Sequence, residues 1–472
     1  MTASLIDTIS AYIPEVKGPT QRRLSFKEKS KWTLIILVLY FVLSIIPLLG
    51  LDPAAQFQFE QIEVILGAAF GSIISLGIGP IVTASIVLQL LNGSGIVHFE
   101  LTTDEGKKRF QATQKLLSIF FVLFESCVFV FFGGFAPVVN TLNWKFILVA
   151  QLFLGGLMIM LMDEVVQKWG FGSGLSLFIV AGVAKSIFVQ AFSPFTPEGT
   201  LVLGGSGDPQ QVIGRLFYFI FFISDFDVEA ILALLSIVTT VVVFIVAVYL
   251  QSMKVEIPLS FGRVRGYGIR WPLKFLYTSN IPVILVAALL ANIVLLVQFL
   301  NNRGIELLGT VGPGGASQSG LITWFAPVSI IESLVLTLVQ QVPFDFLDLA
   351  RAVSYMLVMV AGAVLFSIFW VQSAGQDAAS QARQITASGL QIPGFRRDPR
   401  LLERILQRYI TPLTVMGGIA VGIIAAGADL SNALSRGTGI LLAVMIVYQL
   451  YEEIGKQHAL DMHPAVRKIF GE

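Results

Sequence analysis

Charge is what this 472-residue sequence has least of. Asp, Glu, Lys and Arg make up 13% of it, against roughly 25% in a soluble domain. With 55% hydrophobic residues, the chain cannot cover a core with polar surface in water, and lipid is the solvent that suits its composition. Cysteine is nearly absent. Cys127 is the single thiol, which excludes an intramolecular disulfide and a cysteine-based zinc site. The three histidines, His98, His458 and His463, lie outside the apolar runs. No His-Glu-x-x-His occurs, so intramembrane protease chemistry lacks its residues. The Gly-rich run from Gly309 to Gly320 lacks the Lys-Ser/Thr ending of a phosphate loop, so ATP hydrolysis has no support. A net charge of +1 gives no global pull on nucleic acid. No signal peptide is expected, because residues 1–31 are basic but hold no short apolar stretch with a cleavage site.

What is present is apolar length. A helix crosses a hydrocarbon core of about 30 Å in about 20 residues. Runs of that size fall at 32–51, 73–93, 116–137, 145–163, 172–191, 228–252, 276–299, 352–371, 411–428 and 437–455. Two further stretches, 212–224 and 322–343, carry acidic or amide residues and are read as interfacial segments. Ten spans put both termini on one side, and the positive-inside rule makes that side cytoplasmic. Of 31 Lys and Arg residues, only Lys145, Lys185, Arg215, Arg303, Arg351 and Arg436 then face outward. An all-α membrane protein of ten transmembrane helices is expected, in two five-helix halves of opposite sense at 1–210 and 211–472.

Residues 54–93 are apolar for far longer than one straight crossing allows. Breakers stand at Gly67, Gly71 and Leu76-Gly77-Ile78-Gly79-Pro80. Glu60, Gln61 and Glu63 in the earlier part are expensive against lipid. A short re-entrant helix buried in protein or lining an aqueous cavity is predicted before the second span proper.

Several strings resemble the SecY family of protein-translocating channels, in its archaeal form. Phe26-Lys27-Glu28-Lys29 is similar to the family's N-terminal segment, and Leu76 to Ala84 to its second-helix signature. Gly170-Phe171-Gly172-Ser173-Gly174 resembles the fifth-helix entry, and Lys274-Phe275-Leu276-Tyr277 with Ser279 to Ile284 the seventh helix. Ile368-Phe369-Trp370-Val371, Tyr409 to Met416 and Gly437 to Leu442 resemble helices eight, nine and ten. Each string is weak alone. Their order, on ten spans with this charge bias, is specific. Residues 192–226 and 300–326 match poorly, so nothing is carried over to them.

The resemblance implies a central pore closed by a ring of aliphatic side chains, here Ile78, Val82, Leu175, Ile179, Ile284 and Leu442. Read without it, Ile78/Val82 and Leu175/Ile179 are i,i+4 pairs of a kind common in packed cores. The resemblance also implies a plug at about 58–70, including Glu60, Ile62, Val64 and Ile65. It implies a lateral gate marked by Thr83, Glu125 and Asn292. Glu125 stands out unaided, as an ionisable group inside the apolar run Ile119 to Phe132, although a plain helix-packing hydrogen bond would serve as well. The basic loops holding Arg263, Arg265, Arg396 and Arg397 would dock a ribosome, with topogenic charge or lipid headgroups as the alternative reading. The implied partners are a SecE-type gamma subunit clamping the two halves, a small beta subunit, the ribosome and signal-bearing nascent chains. No cofactor and no catalysis are expected. The competing reading is a secondary transporter built from inverted repeats, which would need a midplane set of polar ligands. Here mainly Glu125 is found, with Lys185 toward the outer end of its span.

Overall fold

Helices are the open form in which an apolar backbone satisfies its own polar groups in lipid, and helices dominate here. The computed structural model describes residues 15–20, 24–52, 68–93, 96–97, 99, 103–131, 135–197, 199–202, 208–223, 227–261, 268–278, 281–301, 304–306, 308–311, 317–341, 343–387, 390–391, 399–435 and 437–462. In chain order come α1 (Phe26–Ile45), α2 (Gly79–Gly93), α3 (Asp104–Phe131), α4 (Leu142–Trp169), α5 (Gly174–Phe192), α6 (Arg215–Phe222) and α7 (Val228–Ser252). The hairpin β1 (Lys254–Phe261) and β2 (Gly268–Lys274) leads into α8 (Ile281–Asn301), then β3 (Thr310–Val311), β4 (Ser317–Ser319), α9 (Ile330–Gln340) and α10 (Phe346–Ser373). The last elements are α11 (Ala378–Ala387), β5 (Leu390–Gln391), α12 (Pro399–Leu430) and α13 (Gly437–Met462).

Eight helices among the described residues are long and apolar enough to cross a membrane. They are α3, α4, α5, α7, α8, α10, α12 and α13, and they coincide with eight of the ten expected spans. The other two depart for visible reasons. α1 carries Lys27, Glu28, Lys29 and Lys31 in its first two turns, and it ends at Ile45 rather than at Leu51. α2 has 15 residues of regular helix, about 22 Å at 1.5 Å per residue. Tight turns over residues 73–78 precede it. The short α6 and α9, of 8 and 11 residues, fall in the two stretches read as interfacial.

The break before α2 lies where the sequence placed it. Gly71 and Gly77 take φ of 85° and 55°, the left-handed region that glycine enters without strain. Pro80 sits in the first turn of α2, where its missing N–H costs nothing. Ile74, Leu76 and Ile78 are buried, and Ser72 and Ser75 return their hydroxyls to the carbonyls of Ala69 and Ser72. α4 admits this segment at Gly155. A Cβ there would stand 1.8 Å from the carbonyl oxygen of Ile73. Gly155→Ala should therefore destabilise the protein by about 1–3 kcal/mol, read as a lower midpoint of thermal unfolding in detergent. An unchanged midpoint would mean that α4 moves aside freely.

At one end of the bundle β5 joins the hairpin to give a three-stranded antiparallel sheet of order β2-β1-β5. Ile257 and Leu273 share an apolar core there with Ala382 and Ile385 of α11, Leu402 and Leu406 of α12 and Val371 of α10. The Tyr277 hydroxyl donates to the carbonyl of Gln376 at 2.7 Å. Burial, with Asp377 nearby, pushes that phenol up to about 12, so it keeps its proton at any physiological pH. The two inter-helix connections therefore make one platform.

Candidate pore waist and lateral seam

The six aliphatic residues come from four helices that touch in sequence. α13 packs against both α5 and α8, and α8 packs against α2. Ile78 lies in the last turn before α2 and accepts the backbone N–H of Val82 at 3.0 Å, which sets the two side chains on one face. Ile78, Val82, Ile179 and Leu442 are buried members of a single continuous apolar cluster. Leu175 and Ile284 are half-buried and pack against it.

Two of these helices begin at aspartates, one buried and one half-buried, that sequence reasoning missed. Asp163, near the end of α4, accepts from the backbone N–H of Leu175 at 3.0 Å and from the Ser173 hydroxyl at 3.3 Å. Asp429, at the end of α12, accepts from the backbone N–H of Thr438 at 2.9 Å and from the Tyr355 hydroxyl at 2.7 Å. In each case the preceding span supplies the side-chain acceptor for a first-turn N–H of the next. The signal was legible: an acidic residue closing an apolar run, then Gly-Ser-Gly in one case and Gly-Thr-Gly in the other.

The three polar gate candidates meet at Thr83. Asn292 on α8 donates from Nδ2 to Thr83 Oγ1 at 2.9 Å, and the Glu125 side chain on α3 hydrogen-bonds to the same threonine. One hydroxyl thus ties the second turn of α2 to both neighbours. Aromatic contacts mark the rest of the seam. Toward the end away from the sheet, the rings of Phe129 on α3 and Phe299 on α8 meet edge-on at 5.2 Å. Toward the sheet, the Phe369 ring of α10 covers Gly93 of α2, so close that a Cβ on that glycine would lie 2.7 Å from it. The seam runs between α2 and α3 on one side and α8 and α10 on the other.

Glu60, Ile62, Val64 and Ile65 lie outside the described residues, as do Arg263, Arg265, Arg396 and Arg397. The strands flanking the two arginine-bearing segments belong to one sheet, where β1 pairs with β2 along its length and Ser260 and Phe261 pair with Gln391 and Leu390. On another side of the bundle, an apolar groove of about 640 Å³ runs between α5, α7 and α13. Ala184, Phe188, Val241, Phe244, Val444 and Tyr448 are among its lining residues.

Comparison with known proteins accords with this geometry. The family model described as SecY matches residues 72–451, and the one described as the plug domain of Sec61p matches residues 38–71. The chain is similar to the protein translocase subunit SecY of Methanothermobacter thermautotrophicus, with 43% identity over 475 residues, 99% of this chain and 98% of that one. The corresponding subunit of Pyrococcus furiosus is 41% identical over 479 residues, 99% of each chain. A solved protein-conducting channel is 38% identical with a TM-score of 0.80, over 97% of this chain and 98% of that one. Sec61 in the canine ribosome–channel complex from the endoplasmic reticulum is 37% identical with a TM-score of 0.77, over the same shares.

Proposed function

The chain belongs to the SecY family, and from that premise we propose how its residues conduct protein. It is a multi-pass membrane protein and the channel subunit of a protein translocase. Unfolded secretory chains cross the bilayer through it, and membrane segments leave it sideways. Ile78, Val82, Leu175, Ile179, Ile284 and Leu442 form the waist. An apolar neck excludes water and ions, yet yields to a passing chain because it makes no specific bonds. The observation that carries this reading is that six aliphatic side chains, from four neighbouring helices and the turn before one of them, all belong to or pack against one continuous apolar cluster, beside a seam pinned at Thr83. Reconstituted vesicles test it. Signal-dependent passage of a nascent chain is the expected result, and solute uptake driven by an ion gradient would instead favour a transporter.

Thr83, Glu125 and Asn292 are the latch of the lateral gate, and the segment at 58–70 is the plug. The division into halves at 1–210 and 211–472 is supported by the matching aspartate caps, and the cytoplasmic placement of both termini by the positive-inside bias. The fourth span caps the fifth through Asp163, and the ninth caps the tenth through Asp429. The partners are a SecE-type subunit, a small beta subunit and the ribosome. The groove between α5, α7 and α13 suits the SecE-type helix, because it joins one helix of the first half to two of the second and offers only apolar and aromatic surface apart from Thr240. The chain itself is not a catalyst, and the work of translocation comes from the partner that feeds it.

Arg263, Arg265, Arg396 and Arg397 dock ribosomal RNA phosphates. Arg263→Ala with Arg265→Ala should weaken ribosome binding at low salt and flatten the log–log salt dependence by about one unit per arginine. Titration of ribosomes on purified complex between low and moderate salt reads both. An unchanged slope would leave these arginines as topogenic charge only.

A further inference from the structure

The base of the hairpin holds an arrangement that is unfavourable by itself. The register of β1 on β2 sets Lys254 directly opposite Lys274, and like charges at that spacing repel. Both ammonium groups turn to one carboxylate outside the sheet. Glu452 on α13 takes Lys254 on Oε1 at 3.5 Å and Lys274 on Oε2 at 2.5 Å. One turn earlier on the same face of α13, the Tyr448 ring centre lies 5.9 Å from the Lys274 ammonium. The carboxylate is mostly covered, so salt screens this group less than an open surface pair.

The hairpin is otherwise held from a different direction. Its apolar core is shared with α10, α11 and α12, and among the described residues no side chain of α13 belongs to that core. The chain connections from the hairpin run to α7 and α8. The link to α13 is therefore ionic, and α13 carries Leu442 about 15 Å further along its axis.

We propose that Glu452 is a positioning residue that couples the docking hairpin to the waist. Through Lys254 and Lys274 it makes the hairpin and α13 move together, so that a ribosome seated on the hairpin shifts Leu442. This rests on the docking role given above to Arg263 and Arg265, which lie in sequence between the same two strands.

The test uses the purified heterotrimer in vesicles, with ribosome affinity and the rate of translocation of ribosome-bound nascent chains measured separately. Glu452→Gln should keep ribosome affinity within about twofold while slowing translocation about fivefold, the scale of one ion pair. Lys274→Glu alone should be as slow. The exchange of Lys274→Glu with Glu452→Lys restores one carboxylate between two lysines and should bring the rate back to within about twofold of the parent. Three results would overturn the proposal: parental translocation by Glu452→Gln, loss of affinity and rate in equal proportion, or no recovery in the exchange. A parent complex that binds no ribosome overturns the docking reading, and this proposal with it. Parental ribosome binding that is indifferent to Arg263→Ala and Arg265→Ala overturns the docking role of those two arginines and this proposal with it, and leaves the channel reading standing.

Discussion

Replacing Ile78 and Ile179 together with asparagine is expected to turn the resting channel into an ion leak. Each of the two side chains is 1% exposed in the apolar cluster, and an apolar constriction stays closed to ions because water leaves it. An amide buried there without a partner costs about 1–3 kcal/mol, and the neck recovers that energy by filling with water. At about 1 kcal/mol of net hydrogen bonding per amide, two amides shift the balance between dry and wet by about thirtyfold, since each 1.4 kcal/mol is tenfold. Conductance of the complex in a planar bilayer should rise by that order. Ile179→Val is the control. It keeps the neck apolar and should cost only about 0.5–1.5 kcal/mol of stability without leaking. A double asparagine variant that sealed as tightly as the parent would place the barrier elsewhere.

The second large effect concerns the gate. Asn292→Leu combined with Glu125→Leu removes both side-chain partners that Thr83 has on neighbouring helices. Hydrogen bonds between membrane helices average about 0.6 kcal/mol, with a maximum of about 1.7. Two average bonds hold the closed gate by about 1.2 kcal/mol, so their loss raises the open population about sevenfold. The readout is selectivity. A substrate whose signal sequence has been made less apolar should be translocated several-fold better by the variant, while a substrate with an intact signal changes little. If neither replacement altered that selectivity, the polar latch would be no more than helix packing.

Both predictions involve residues that could be named before the structure, but for different reasons. The spans were legible because bilayer thickness fixes helix length, and a run of twenty apolar residues has few other uses. The break at Gly71, Gly77 and Pro80 was legible because those residues act on their own backbone. Glu125 stood out because a carboxylate inside an apolar run is costly. The waist needed more. The i,i+4 spacing of Ile78 with Val82 is shared by any packed core, and only the family resemblance gave it meaning. The expectation of ten full crossings was too regular. The second is 15 residues of helix extended by turns, because α4 offers Gly155 where a tighter chain can pass. Glu452 carried no signal, since an acidic residue in the last turns of a helix ordinarily faces solvent.

By itself the sequence determined the solvent, the positions of eight long apolar helices and the point where the second span breaks. These follow from interactions within a few residues, or between one segment and lipid, and they leave a local trace. Tertiary structure alone decided that Asn292 finds Thr83 across 209 residues of chain. It also decided that a single carboxylate on α13 gathers two lysines from the sheet. Those pairings depend on which helix faces come together, and the faces are chosen by the packing of the whole bundle, where no short stretch of sequence records the choice.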